Sequence, residues 1–177
     1  MERHGFIHDM LDVKVLILYV MNRVLYPVDG QKVYELCYQD ETLSYFDVQE
    51  ALPQMVRTGH LEQTPEGYVI TEKGREACAV TEDSLAYPLA QRVGRAVESF
   101  NREVRRSSFI HTEILSHENG EYSAVMGLSD EKGILMTLEM TAPTQRQALR
   151  LTREFRRSAD VIFQMLMTQL TEEADED

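Results

Sequence analysis

Cysteine is scarce in this chain of 177 residues: Cys37 and Cys78 stand far apart. Neither belongs to a metal-ligand or redox pair, and each falls on a predicted helix, so both read as small core hydrophobes rather than reactive thiols. No run of about 18 apolar residues exists, which excludes a membrane-spanning helix. The opening residues, MERHGFIHDMLDVKV, carry acids and histidines where a signal peptide needs an apolar segment, so a cytoplasmic location is expected. A nucleophile elbow, a glycine-rich phosphate loop and paired carboxylates in a plausible cleft are all missing, so neither enzymatic activity nor a cofactor is expected. Repeats of solenoid period and low-complexity linkers are missing too. Positive charge is short: 18 Lys and Arg face 30 Asp and Glu, a net of −12. Phosphate contacts supply most non-specific DNA affinity and need Lys and Arg, so this deficit is the main obstacle to a DNA-binding role.

What the chain does have is apolar side chains, 43% of the total, enough for a real core in one large domain or two small ones. The charge also has a pattern. Residues 1–80 hold 7 basic and 13 acidic side chains, a net of −6, and residues 81–177 hold 11 and 17, again −6. Five of the latter acids lie in 172–177, a tail expected to be disordered, and without it the second part is nearly neutral at −1.

Residues 44–74 organise the first part. Ser44 is placed to cap a helix in which Val48, Ala51, Leu52 and Met55 share a buried face. Pro53 lies inside that helix, and a bend is expected there. Gly59 ends it in the left-handed conformation. Residues 61–64 and 68–70 are short strands joined by the turn Pro65-Glu66-Gly67, and Thr71 caps the next helix, reaching about residue 83. Before this stretch, Asp9 caps a helix over about 10–25, with Val13, Leu16, Ile17, Val20, Met21 and Val24 as its apolar stripe, ended by Pro27. Asp29 caps a second helix to about residue 38, with Val33, Leu36 and Cys37 inward. Pro88 then fits the first turn of a connecting helix to about residue 106, lined by Leu89, Val93, Ala96, Val97, Phe100 and Val104.

From Ser108 the period changes from helical to alternating. FIHTEILSHE and EYSAVMGL flank Asn119-Gly120, a strong hairpin signal. Tyr122, Ala124, Met126 and Leu128 alternate with Ser123, Val125 and Gly127. In a third strand Ile134, Met136, Leu138 and Met140 are expected to share a face. The result is a three-stranded antiparallel meander needing a cover. Thr144 caps a final segment of 27 residues, roughly 40 Å if straight. There Ala148, Leu151, Phe155, Ala159, Ile162, Leu166 and Leu170 form a stripe longer than three strands need. Its far end, with Ile162, Met165, Leu166, Met167 and Leu170, is a candidate dimer contact. The expected fold is therefore α+β. It comprises an N-terminal winged helix-turn-helix (1–83), a connecting helix (84–107), and a C-terminal β-meander covered by a long helix (108–177).

Four elements carry a family resemblance: KVLILYVMNRV with PV after it, LSYFDVQEAL, GYVITEKG, and the meander followed by a long helix. Together they resemble the bacterial family catalogued as domain of unknown function 4364 over nearly the whole chain. YVITEKG alone is similar to many winged-helix regulators, including the PadR and MarR groups. The resemblance implies a winged-helix N-terminal domain and a transcriptional-regulator role, with no catalytic residues. Related regulators usually carry Arg or Lys on the reading helix, whereas this one offers Asp47, Glu50 and only Arg57, and its wing, EQTPEG, has two acids and no base.

Candidate DNA-reading residues are Ser44, Tyr45, Gln49, Gln54 and Arg57, through hydrogen bonds to bases or phosphates. The competing reading is a helix that packs or meets a protein. Two basic stripes stand out: Arg92, Arg95, Arg102 and Arg106 on the connecting helix, and Arg146, Arg150, Arg153 and Arg157 on the last. Span 88–106 is +3 and span 144–157 is +4. A solvated face with local pairing is the plain reading; docking of acidic segments or phosphates is the sharper one. His4 and His8 have one-turn spacing but no third ligand, so no metal site is expected. The preferred function is a cytoplasmic, homodimeric DNA-binding transcriptional regulator, with a winged-helix protein-interaction module as the alternative. A small-molecule pocket between sheet and last helix, near Tyr122 and Phe155, is a third reading, with a filled core the expected state of that space.

Overall fold

The computed structural model describes residues 7–39 and 41–171; His4 and the acidic tail lie outside them. The chain divides into two compact units, with the boundary between Glu103 and Val104.

The first unit is built round α1 (Met10–Arg23), followed by α2 (Gly30–Cys37), α3 (Tyr45–Arg57), β1 (Leu61–Thr64), β2 (Gly67–Ile70), α4 (Glu72–Thr81), a 3-10 turn (Glu82–Ser84) and α5 (Tyr87–Ser108). The expected caps are all made. Asp9 accepts from the N–H groups of Leu11 and Asp12, Asp29 from Lys32, Ser44 from Phe46, and Thr71 from Gly74. Each satisfies backbone donors that the helix itself leaves free. Val15 and Leu18 are buried beside the anticipated α1 stripe, so α1 is apolar round most of its girth and serves as the hub of the core. Helix α3 runs through Pro53 unbroken, with the proline ring on its exposed side. Leu89, Val93 and Val97 of α5 are fully buried in this same core. The connecting helix is thus largely an element of the first unit. Its Asn101 closes the end of α1, accepting from the Leu25 N–H and donating to the Arg23 carbonyl.

Strands β1 and β2 form an antiparallel hairpin, and Val28 adds a bridge on the far side of β2 through two backbone bonds with Tyr68. Two glycines permit this crowding. A Cβ on Gly67 would meet the Val28 backbone at 2.6 Å, and one on Gly74 would lie 2.2 Å from the His60 carbonyl oxygen. The glycine of GYVITEKG is therefore where α4 passes against the end of α3.

The second unit holds a three-stranded antiparallel sheet in the order β3 (Ile110–Ser116), β4 (Tyr122–Asp130), β5 (Gly133–Ala142), and then α6 (Gln145–Thr171). Its core is Ile110, Ala124, Met126, Leu128, Ala142, Ala148, Phe155 and Ala159. Two expectations need correcting. Ile134 does not share the face of Met136 and Leu138. The register shifts between Leu128 and Ser129, so Leu128 pairs with Met136 while Ser129 pairs with Ile134. The extra residue, Leu135, turns Ile134 outward, where it is 80% exposed. Ser123, placed on the outer face by alternation, is buried because His117 folds over it, with Nε2 2.8 Å from its hydroxyl. The last helix is not straight: Ser158 leaves helical geometry at φ −128 and ψ 15.

Candidate nucleic-acid interface

Helix α3 presents its outer side at the end of the α2–α3 turn, and the five candidate reading residues fare differently there. Ser44 is committed to capping, its oxygen accepting from the Phe46 N–H at 3.2 Å. Gln49 is half-buried and its amide donates to the Gly30 carbonyl at 3.0 Å, tying α3 to the start of α2. Gln54 donates to Glu50 at 3.2 Å and keeps its own oxygen for an incoming donor. Arg57 is exposed and makes no hydrogen bond or ion pair among the described residues. Tyr45 is partly exposed and packs edge-on against Tyr34 (centroids 5.2 Å apart) and Phe46 (5.9 Å).

That contact belongs to a cluster the sequence reading missed. Tyr34 on α2 and Tyr38, the residue that caps its C-terminal end, meet at 5.3 Å, and Phe46 at the start of α3 is 79% exposed. The i, i+4 tyrosines were a legible signal, but only the turn between the helices brings Tyr45 and Phe46 to them. Acids edge the cluster: Glu41 and Glu50 are exposed, and Asp47 lies in the first turn of α3, where it complements the helix dipole.

At the other end of α3, Lys73 donates to the Thr58 carbonyl at 2.7 Å, so its charge is placed at the helix C-terminus. His60 is beside it, with its ring Nδ1 2.8 Å from the Thr58 hydroxyl. Partial burial, followed by the neighbouring Lys73 and Lys14, lowers the His60 pKa below its ordinary value. The β1–β2 hairpin offers Glu62 and Glu66, both exposed, and no base.

Within the first unit Arg92, Arg95 and Arg102 are exposed along α5. Arg106, in the second unit, is not available: its Nε lies 2.6 Å from Asp160, and it also donates to the Arg157 carbonyl. On α6 the stripe splits. Arg153 and Arg157 approach Glu154 at 3.4 and 3.6 Å, exposed pairs of small energetic weight. Arg156, outside the expected stripe, donates to the Thr112 hydroxyl at 2.9 Å. Arg146 and Arg150 have no polar partner among the described residues.

The second unit also contains a cleft of about 600 Å³ along β5 and α6. It exists because α6 lies mainly across β4 and β3 and covers β5 less. Met126, Leu138, Met140, Leu151, Phe155 and Ile162 wall it, with Arg150, Glu154 and Gln147 at its edge. Phe155 was anticipated; Tyr122 is not part of it. Beyond the sheet, Met165, Leu166, Met167 and Leu170 are exposed, while Ile162 is partly buried in its own core. Among the described residues no three His, Cys, Asp or Glu side chains are grouped to hold a metal ion, and no helix is long and apolar enough to cross a membrane.

The family model described as "Domain of unknown function (DUF4364)" matches residues 13–170. No curated protein and no solved structure matches the chain.

Proposed function

The chain belongs to that family of unknown function, DUF4364, and from its own geometry we propose that it is a winged-helix, DNA-binding transcriptional regulator. It acts as a homodimer in the cytoplasm and carries no catalytic role. The observation that supports the reading is the capped α3 with an exposed outer side, followed directly by a hairpin braced through Val28 and a further capped helix. That order is the one in which a helix enters a groove and a wing lies along the phosphates.

The charge distribution then dictates how binding works. Arg57 is the one basic side chain on α3, and the wing has none. Specificity falls to neutral donors and acceptors, the Tyr45 hydroxyl and the Gln54 amide, with Arg57 and the α5 arginines Arg95 and Arg102 supplying phosphate contacts. Few ionic contacts mean a shallow dependence on salt, because the slope scales with the phosphates neutralised. Two half-sites, one per protomer, compensate for weak single contacts.

The test is capture of genomic DNA by the purified full-length protein at low and near-physiological salt. A recurring site with approximate two-fold symmetry, retained at the higher salt and lost in Tyr45→Ala and Gln54→Ala variants, supports the reading. Absence of retention at both salts ends it.

A second reading is supported by the aromatic cluster. Tyr38, Tyr45 and Phe46 are large and exposed, and Asp47 and Glu50 follow Phe46 on α3, a composition suited to anchoring a basic protein surface. In that case Phe46→Ala abolishes partner capture, and DNA is never retained.

A further inference from the structure

We propose that the cleft between β5 and α6 is occupied by residues 161–171 of α6 from a second copy of this chain, the two helices running antiparallel about a two-fold axis level with Asp160. This deepens the homodimer of the reading above and does not depend on whether DNA is bound.

The second unit has one surface too few and one too many. The inner face beside β5 lacks a cover, and α6 continues past its own sheet with nothing to cover. The two match in length. From Arg150 to Ile162 the cleft follows α6 for about 18 Å, and residues 161–171 span about 16 Å. They also match in chemistry. Residues 161–171 contain no charged side chain, and Val161, Met165, Leu166, Met167 and Leu170 are all exposed. The cleft wall is apolar and rich in methionine, which adapts its shape to a partner surface.

Spacing sets the register. Leu151, Phe155, Ser158, Ile162, Met165 and Gln169 recur at four-three-four-three-four intervals, the seam of a paired helix. Four of them, Leu151, Phe155, Ser158 and Ile162, line the cleft, and the other two continue the seam beyond it. Folded onto itself antiparallel, the seam sets Leu151 opposite Gln169, Phe155 opposite Met165, and Ser158 opposite Ile162. The small Ser158, where the helix breaks, then lies near the crossing.

Charge fixes the direction. Residues 172–177, with five carboxylates, follow the apolar segment at once. Antiparallel pairing sets Thr171, after which these acids follow in sequence, level with Leu149 of the second copy, close to Arg146 and Arg150, which have no polar partner among the described residues.

The experiment is the mass of the full-length protein in solution by light scattering and sedimentation velocity, with variants at exposed positions and at the half-buried Leu151. A dimer is expected, reduced to monomer by Met165→Glu; Met165 is 56% exposed, so folding is spared, which circular dichroism checks. Copies carrying Leu151→Cys mixed with copies carrying Gln169→Cys should form a disulfide-linked heterodimer, and neither variant should self-link. Arg146→Glu together with Arg150→Glu should weaken the dimer on the order of fivefold at low salt. A monomer at all accessible concentrations overturns the proposal, as does a dimer that survives Met165→Glu. Self-linking of Leu151→Cys alone also overturns it, and so does a monomer whose native mass spectrum carries an apolar small molecule bound in the cleft. A monomer that still captures its DNA site defeats this inference alone. A dimer that meets these tests and retains no DNA defeats the DNA reading alone.

Discussion

The two units solve the same problem to different degrees. Among the described residues the first buries twenty-one apolar side chains in one core, and the second buries eight, although it has the larger sheet and the longest helix. In the first, α1 is wrapped by helices and backed by the hairpin, so its apolar circumference is covered within the unit. In the second, one helix laid across a three-stranded sheet leaves the β5 side open and its own last turns bare. A helix pair or a helix ring can close on itself, whereas a sheet with one helix closes only as far as that helix is wide. The lesson is that the first unit's stability is its own, and part of the second's is expected to come from whatever completes it.

The sharpest way to break that contrast is to delete matched side chains from the two places. Leu52 is fully buried in the first core, and Leu52→Ala should cost about 3 kcal/mol through lost burial and the cavity left behind. Met140 points into the open cleft and is 47% exposed, so Met140→Ala should cost under about 1 kcal/mol in dilute protein. Urea unfolding read by hydrogen exchange, which assigns each change to its own unit, makes the comparison. Equal costs would mean that the cleft is closed in solution even at low concentration.

A smaller effect tests how the first unit is locked. Thr71 caps α4 through the Gly74 N–H, and its hydroxyl proton goes to the Gly59 carbonyl at 2.6 Å or the His60 carbonyl at 3.1 Å. Thr71→Ala removes a cap and leaves carbonyls short of a donor, so a loss of about 1.5 kcal/mol is expected, confined to the first unit. Thr71→Ser should recover most of it. Protein concentration sharpens the contrast from the other side. A tenfold dilution should leave exchange in the first unit unchanged and loosen the second by up to about 1.4 kcal/mol per mole of dimer.

These differences also explain what could be read in advance. The caps at Asp9, Asp29, Ser44 and Thr71 and the α3 core positions were legible because each rests on local chemistry within a few residues. The α+β order and the meander were legible from the change in hydrophobic period. The bulge at Leu135 was not, since one extra residue leaves the alternation intact on both sides and shows only when β4 is paired. Gln49 read as a DNA-reading residue because it lies in the N-terminal half of α3, taken as exposed, and can hydrogen-bond to bases or phosphates. Its engagement by the Gly30 carbonyl depends on how α2 crosses α3, which no local pattern encodes. A pocket between the sheet and the last helix was weighed but a filled core was expected there, because Met126, Leu138 and Met140 read as core whether or not the helix above them is wide enough.

The smallest expected effect is a titration confined to the first unit. The Thr58 hydroxyl has the Gln54 and Met55 carbonyls as acceptors at 3.0 and 3.2 Å, so its proton is spoken for and Nδ1 of His60 is the N–H that donates to it. Protonation then falls on Nε2, in a partly buried position near Lys73 and Lys14, and the folded pKa lies below the unfolded value of 6.5. Below 6.5 the unfolded chain binds the proton first, so acid favours unfolding. The contribution is complete above 6.5 and is lost as pH falls through 6.5 towards the folded pKa. Stability of the first unit should therefore decline slightly from neutral pH into the acid range, by a margin kept small because the ring remains largely in contact with solvent. His60→Gln, which preserves an amide donor beside Thr58, should flatten that slope in urea unfolding followed across this range. A slope unchanged by His60→Gln would move its origin to the carboxylates elsewhere in this acidic unit.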